Sequence, residues 1–354
     1  RIPTAVLGAT GSVGQRMVSL LADHPWFDVV ELVASERSAG RSYRDAAHWL
    51  LSSPMPAAVA DLEVVPLHAD LRSPLALSAL DADVAGPAED RLARAGHLVV
   101  SNAKSHRMRS DVPLLIPEVN PDHLQLINEQ AYDGGAIVTN PNCSTIGLVL
   151  ALKPLHDAFG VEKVHVVTMQ AISGAGFPGI SSLQVMDNLI PFISGEEEKL
   201  ESETRKILGR LEGGRIRESE ITISAQCTRV PVLDGHTECI SVKLGRPATE
   251  EEIIEVWEGF RAAPQWLDLP SAPLRPIIYD RSESAPQPRI HRDAGSGMAV
   301  TIGRLRPCTL FDFKFVALSH NTIRGAAGGS LLAAEMAVGQ RVLPSLAPPA
   351  SPKD

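Results

Sequence analysis

Apolar runs alternate with helix-compatible stretches through the first third of the chain. Thr4–Leu7 reads as a strand that stops at Gly8, and Gln15–Asp23 carries apolar residues at helical spacing. Val29–Ala34, Glu63–Pro66, Leu75–Leu80 and Leu98–Ser101 read as further strands, with Ala88–Ala95 as a helix. This alternation predicts a parallel sheet with helices on both faces. An apolar strand at Ala136–Thr139 is followed by a helix-compatible stretch, Ile146–Leu152. Beyond residue 142 the pattern changes. Val164–Ala171, Glu220–Gln226 and Glu238–Leu244 are strand-like, while Glu196–Leu211 and Glu250–Arg261 read as charged helices. That mixture predicts a separate α+β unit. Asn321–Val342 is rich in small residues, apolar at helical spacing, and expected to pack back on the first unit. The expected division is therefore 1–141 with 321–343, then 142–320, then a proline-rich tail, 344–354, that frays.

Composition narrows the class. The 354 residues suffice for two cores, and 44% hydrophobic with 21% charged content describes an ordinary globular protein. A net charge of −9 without a basic run argues against a nucleic-acid partner. No apolar run approaches the roughly 20 residues that span a bilayer. The N-terminus has no signal-peptide pattern. The four cysteines show no paired spacing, which argues against disulfides or a metal site and for a reducing cytosol.

Gly8-Ala9-Thr10-Gly11-Ser12-Val13-Gly14 follows a strand and opens a helix. Glycines there permit a tight turn and let backbone N–H groups approach a phosphate. Gly8, Thr10, Gly11, Ser12 and Val13 are the candidate nucleotide contacts. Ser35-Glu36-Arg37-Ser38 closes the second strand, where such folds read the ribose. Ser35, Arg37 and Ser38 favour a 2′-phosphate and hence NADP; Glu36 is assigned to solvent.

Asn140-Pro141-Asn142-Cys143-Ser144-Thr145 places a cysteine at a turn between strand and helix. The positive end of a helix favours the thiolate, which is the nucleophile. Asp234-Gly235-His236-Thr237-Glu238 supplies a histidine in a polar turn. Thiol, imidazole and nicotinamide together suggest covalent aldehyde chemistry, with Cys143 as nucleophile and His236 as acid/base.

At these two motifs the chain resembles aspartate-semialdehyde dehydrogenase, in the branch typical of archaea, fungi and some bacteria. Matches run in order through Gly8–Gly14, Ala34–Gly40, Ser101–Ala103, Asp111–Asn120, Asn140–Thr145, Met169–Gly176, Asp187–Phe192, Arg229–Glu238 and His320–Gly328. The resemblance implies a Rossmann-type N-terminal NADP-binding domain and a central α+β catalytic and dimerisation domain. It implies interconversion of L-aspartyl 4-phosphate and L-aspartate 4-semialdehyde, feeding threonine, methionine, isoleucine and lysine biosynthesis. His236 would deprotonate the thiol or move a proton at the hemithioacetal. By the same resemblance Gln170 orients the reacting group, Arg229 holds the substrate carboxylate and Glu203 the ammonium. Lys206, Arg107 and Asn142 would form the phosphate pocket; Ser173, Gly174 and Asn321 would touch the cofactor. A homodimer or homotetramer in the cytoplasm is expected. A coenzyme-A-dependent reductase of the same architecture, such as malonyl-CoA reductase, is the competing enzyme, and a dinucleotide sensor without catalysis the competing class.

Several features read plainly. Cys227, Cys239 and Cys308 are expected in the core, His106 and His320 as ordinary histidines, and Glu196-Glu197-Glu198 as a solvated helix start. The family's Ser-Ala-Leu-Pro strand end is here Ser78-Ala79-Leu80-Asp81. Either the proline is replaced, or Asp81–Val84 begins a strand and residues are missing. The connection 128–135 also looks short.

Overall fold

The computed structural model describes residues 1–343 and Leu346; the expectation of a frayed tail otherwise falls outside the described residues. Six helices of ten residues or more occur among them: α1 (Ser12–Leu21), α2 (Ala82–Arg94), α3 (Cys143–Phe159), α4 (Glu196–Ile207), α5 (Glu250–Gly259) and α6 (Gly328–Gly339).

Strands β1 (Ile2–Leu7), β2 (Phe27–Ala34), β3 (Val64–Pro66), β4 (Leu75–Ser78), β5 (Leu98–Ser101) and β6 (Ala136–Thr139) form one sheet, ordered β3-β2-β1-β4-β5-β6. Every pairing in it is parallel. This is the doubly wound dinucleotide-binding order, which leaves a crevice at the carboxyl ends where the order reverses, between β1 and β4. β4, β5 and β6 are buried at every position, which is why they read as continuous apolar runs. One face packs Val6, Leu77 and Val100 against Met17 and Leu21 of α1 and Leu332 and Met336 of α6. The opposite face packs Ala76 and Val99 against Leu92 and Ala93 of α2.

The second sheet is mixed. It contains β7 (Val161–Gln170), β10 (Thr222–Arg229), β11 (His236–Leu244), β12 (Ile277–Asp280), β13 (Val300–Pro307) and β14 (Phe313–Ser319), ordered β10-β7-β11-β14-β13-β12. A separate ribbon pairs β8 (Arg210–Glu212) with β9 (Arg215–Arg217). The sheet's inner face and α3 share an apolar core with Leu200 and Ile207 of α4 and Ile253 and Trp257 of α5. Trp257 donates its indole N–H to the Ala151 carbonyl at 2.9 Å. Its ring meets Phe315 edge-on, 4.9 Å between centroids.

The structure corrects several expectations. Asp81 holds the N-cap position of α2 without a side-chain cap bond, so Asp81–Val84 is a helix start and not a strand. α2 begins six residues before the predicted helix and accommodates Pro87 in its interior. α4 ends at Ile207 because Arg210 onwards pairs as β8. β12, β13 and β14 have no counterpart among the predicted elements. Cys227 is buried, but Cys239 is exposed on the outer face of β11 and Cys308 is only half-buried. Strand-like surroundings do not say which face a residue takes.

Trp257→Ala removes the side chain that joins α3, α5 and the second sheet. The expected cost is about 3–5 kcal/mol, read as a lowered urea midpoint for loss of second-sheet structure.

Candidate active site

The site begins at the turn after β6. Asn142 caps α3: its Oδ1 accepts the Ser144 and Thr145 N–H groups at 3.0 and 3.2 Å. Cys143 is therefore the first helical residue. The register of the second sheet gathers the rest. Gln170 ends β7 opposite Arg229, the end of β10. His236 starts β11 one residue from the Met169 partner Thr237. Three side chains thus converge at one sheet end, beside the N-terminus of α3. His236 Nε2 lies 3.2 Å from Cys143 Sγ. Its Nδ1 accepts the Ala171 N–H at 3.0 Å.

Both sheets contribute to a cleft of about 700 Å³. The first provides Gly11, Ser12 and Val13 at the start of α1, then Ala79–Asp81, Asn102 and Arg107. The second provides Asn142, Cys143, Gln170, Ser173, Gly174 and Arg229, with Asn321 from the returning chain. Asn321 is fixed on both sides. Its Oδ1 accepts the Gly235 N–H at 2.8 Å and its Nδ2 donates to Ser173 Oγ at 2.8 Å.

Glycines are required where backbones nearly touch. Gly8 is left-handed (φ +73°), and a Cβ on it would lie 2.6 Å from the Ala79 carbonyl oxygen. A Cβ on Gly14 would sit 2.2 Å from the Gly8 carbonyl. No side chain caps α1, whose N-cap is Gly11, so its first N–H groups face the cleft. That cradle fits a pyrophosphate at a helix N-terminus. Thr10, Ser35, Arg37 and Ser38 are not on the cleft wall. Ser35 and Arg37 are exposed just beyond β2, whose Val33 carbonyl accepts the Gly8 and Ala9 N–H groups. Glu36 is exposed and bonded to His68.

Glu203 and Lys206 do not reach the cleft. Buried Glu203 accepts Arg107 Nη1 at 3.0 Å and the Asn142 backbone N–H at 2.7 Å. Lys206 Nζ donates to the carbonyls of Arg107, Arg109 and Val112 at 2.7, 2.7 and 2.8 Å. All three of its hydrogens are used, so it holds the loop that carries Arg107. The cleft is faced instead by Glu196 and Lys199, one pair of turns earlier on α4. Glu196 is buried, not solvated as expected; it accepts Asn142 Nδ2 at 2.8 Å and Lys199 Nζ at 3.0 Å. Both pairs have the same i,i+3 spacing and occupy one helix face, so spacing alone does not separate them.

The electrostatics also differ from expectation. Burial pushes the Cys143 thiol up to about 12, with Glu196 adding to the rise and Arg107 and Arg229 opposing it. Burial and Arg229 press His236 down to about 3. The ligand-free pair is thus neutral thiol and neutral imidazole; the helix end does not overcome desolvation. Nδ1 faces an N–H, so the ring proton sits on Nε2, toward sulfur. Arg107 and Arg229 each keep a buried Nε without a partner among the described residues. Both guanidinium groups line the cleft and fit an anionic substrate.

Behind the thiol, Ile323–Ala327 forms a π-helical turn leading into α6. A Cβ on Gly325 would lie 2.7 Å from Cys143 Cβ. Arg324 secures that turn through a two-pronged buried ion pair with Glu118, 2.8 and 2.6 Å. Sequence reasoning missed Glu118, Arg324 and the role of Gly325, although all three lie in segments that matched.

Two family models match the chain: the semialdehyde dehydrogenase NAD binding domain over residues 3–127 and the semialdehyde dehydrogenase dimerisation domain over 152–324. Aspartate-semialdehyde dehydrogenase of Archaeoglobus fulgidus is 47% identical over 349 residues, covering 97% of this chain and 100% of its own. The chain belongs to the aspartate-semialdehyde dehydrogenase family. The Schizosaccharomyces pombe member is 48% identical over 346 residues, covering 94% of this chain and 97% of its own. The crystal structure of the Candida albicans member with NADP superposes with a TM-score of 0.90 at 44% identity, covering 96% of this chain and 99% of that one.

Gly325→Ala forces a methyl against Cys143 and displaces the nucleophile. Overpacking of this kind costs about 1–3 kcal/mol. Alkylation of Cys143 by iodoacetamide, followed by mass spectrometry, is expected to slow by about tenfold or more.

Proposed function

We propose that this chain is an NADP-dependent aspartate-semialdehyde dehydrogenase that interconverts L-aspartyl 4-phosphate and L-aspartate 4-semialdehyde, within the aspartate-family pathway. The observation that carries the reading is the Cys143–His236 contact at 3.2 Å, in a cleft whose opposite wall is a glycine-loop helix N-terminus. Residues 1–141 with 321–343 are assigned to cofactor binding and 142–320 to catalysis and dimerisation.

The cofactor lies on Gly8–Val13 with Ser173, Gly174 and Asn321 at the nicotinamide end; Ser35, Arg37 and Ser38 read the 2′-phosphate. When bound, NADPH supplies the hydride. The chain's own residues do the rest. Sγ of Cys143 bonds to the acyl carbon while the carbon–oxygen bond to phosphate breaks; the thiol proton leaves with the phosphate, and a thioester remains. After hydride reduction at that carbon, the C–S bond breaks, the aldehyde leaves and the sulfur takes a proton from water. His236 is set as a donor throughout. Its Nε2–H stabilises negative charge on sulfur and on the adduct oxygen. Accepting the thiol proton directly at Nε2 would require the other tautomer, which sets an Nδ1–H against the Ala171 N–H. A proton transfer at the hemithioacetal meets the same bar, so in this tautomer His236 acts as a hydrogen-bond donor at both stages.

Arg229 fits the substrate carboxylate, and Gln170, against Glu196, orients the reacting carbonyl. Glu196 replaces Glu203 as the contact for the substrate ammonium. Burial pushes its carboxyl up, but Lys199 and the Asn142 bond outweigh that and hold it below its ordinary value, so it stays charged. Lys199 replaces Lys206 beside Arg107 and Asn142 in the phosphate pocket. An acyl-CoA such as malonyl-CoA would leave Glu196 without an ammonium partner, which disfavours the coenzyme A reading.

With L-aspartate semialdehyde and NADP, absorbance at 340 nm is expected to rise only when phosphate is added. Cys143→Ala should abolish the rise. Turnover supported by coenzyme A but not phosphate would move the substrate to an acyl-CoA.

Dimerisation is assigned to the second half. Phe177, Leu183, Met186, Leu189 and Phe192 are all exposed on one segment. Such a row marks an interaction surface. Light scattering should give at least twice the 37.9 kDa chain mass at micromolar concentration; a monomer would refute this assignment.

A further inference from the structure

Glu89 on α2 is completely buried, 0% exposed. Its Oε1 accepts Ser78 Oγ at 2.6 Å and Ser101 Oγ at 2.7 Å. Those serines end β4 and β5, at the edge of the cofactor crevice. Its Oε2 has no hydrogen-bond partner among the described residues. Facing it at 3.5 Å is His106 Nε2, also without a partner, on a ring that is 4% exposed. His106 Nδ1 lies 3.3 Å from Arg109 Nη1. A guanidinium only donates, so Nδ1 is the bare nitrogen and the ring proton points at Glu89.

A ring N–H facing a carboxyl oxygen without bonding to it fits a carboxyl that carries its own proton. Two donors then oppose each other. Burial raises Glu89 to about 7, against the opposing effects of Ser78, Ser101 and Arg107. Burial also lowers His106, so the ring stays neutral near pH 7. Loss of the Glu89 proton turns the same contact into an N–H···O⁻ bond.

The surrounding charges are already paired. Arg109 bridges Asp90 and Asp111, and Tyr132 donates to Asp90. Arg107 is paired with Glu203, and Lys206 is committed to the loop's carbonyls. His106 directly precedes Arg107, and the same loop carries Asn102 and Lys104 to the cleft.

We propose that Glu89 and His106 are positioning residues for Arg107: protonated Glu89 keeps the 102–107 loop in its anion-binding arrangement, and ionised Glu89 draws His106 onto α2 and weakens that binding. The sign follows from charge as well as position, since a new carboxylate near Arg107 opposes an incoming anion. This rests on the reading of Arg107 as part of the phosphate pocket.

The test compares KM for inorganic phosphate in wild type and Glu89→Gln, in the NADP-reducing direction, between pH 6 and 8. The ratio cancels phosphate's own titration. Glutamine mimics the protonated acid at every pH. The wild-type to variant KM ratio is expected near unity at pH 6 and about fivefold at pH 8, with the kcat ratio flat. A KM ratio that does not change with pH overturns the proposal. A wild type whose turnover ignores phosphate overturns the reading beneath it, and the proposal falls with it. Nitrogen-15 histidine spectra give a check without the Gln variant. The His106 Nε2–H resonance, assigned by its loss in His106→Gln, should move downfield with a midpoint of about 7. A resonance indifferent to pH between 6 and 8 overturns the proposal.

Discussion

The carboxylate of Glu203 ties the site together. It arises from a helix of the second half, grips a guanidinium from the loop after β5, and accepts the backbone N–H at the nucleophile's own turn. A buried carboxylate with these two donors removed would be an uncompensated charge in low dielectric, a strongly destabilising condition. The three elements are therefore held in one relative arrangement. The cleft, the cap of α3 and the aim of Arg107 all follow from it. Lys206 repeats the device one turn later, using three carbonyls where Glu203 uses two donors.

That arrangement explains why a neutral resting pair is compatible with covalent chemistry. Desolvation dominates at both Cys143 and His236, so neither carries charge before substrate enters. The positive groups that favour a thiolate, Arg107 and Arg229, are also the guanidinium groups that line the cleft. Substrate anchoring and thiol activation thus draw on the same two side chains.

Much of the fold was legible because parallel strands buried on both faces leave continuous apolar runs, and the glycine loop marks where the first strand turns. The last three strands were not legible. β13 and β14 carry mixed patterns, with Arg304 in a left-handed conformation inside β13, and their pairing partners are distant in sequence. At the site, motifs located the thiol, the imidazole and Arg229. They did not distinguish Glu196 and Lys199 from Glu203 and Lys206, since both pairs share spacing and helix face. Only their position along α4 relative to the cleft separates them, and that is a tertiary property. Glu89 left no trace in the sequence either; an acid on a charged helix gives no sign that it points inward.

The π-helical turn at Ile323–Ala327 has a temporal consequence. The wall behind Cys143 is Gly325, and its anchor is an ion pair between residues 118 and 324. A chain emerging from the ribosome presents the thiol long before that wall exists. Until the C-terminal segment is threaded back across the first sheet, the nucleophile lacks its enclosure. A protein shortened from the C-terminus into this segment would keep every motif of the thiol–imidazole pair and still leave the sulfur open to oxidants. Completion of synthesis is thus built into completion of the site.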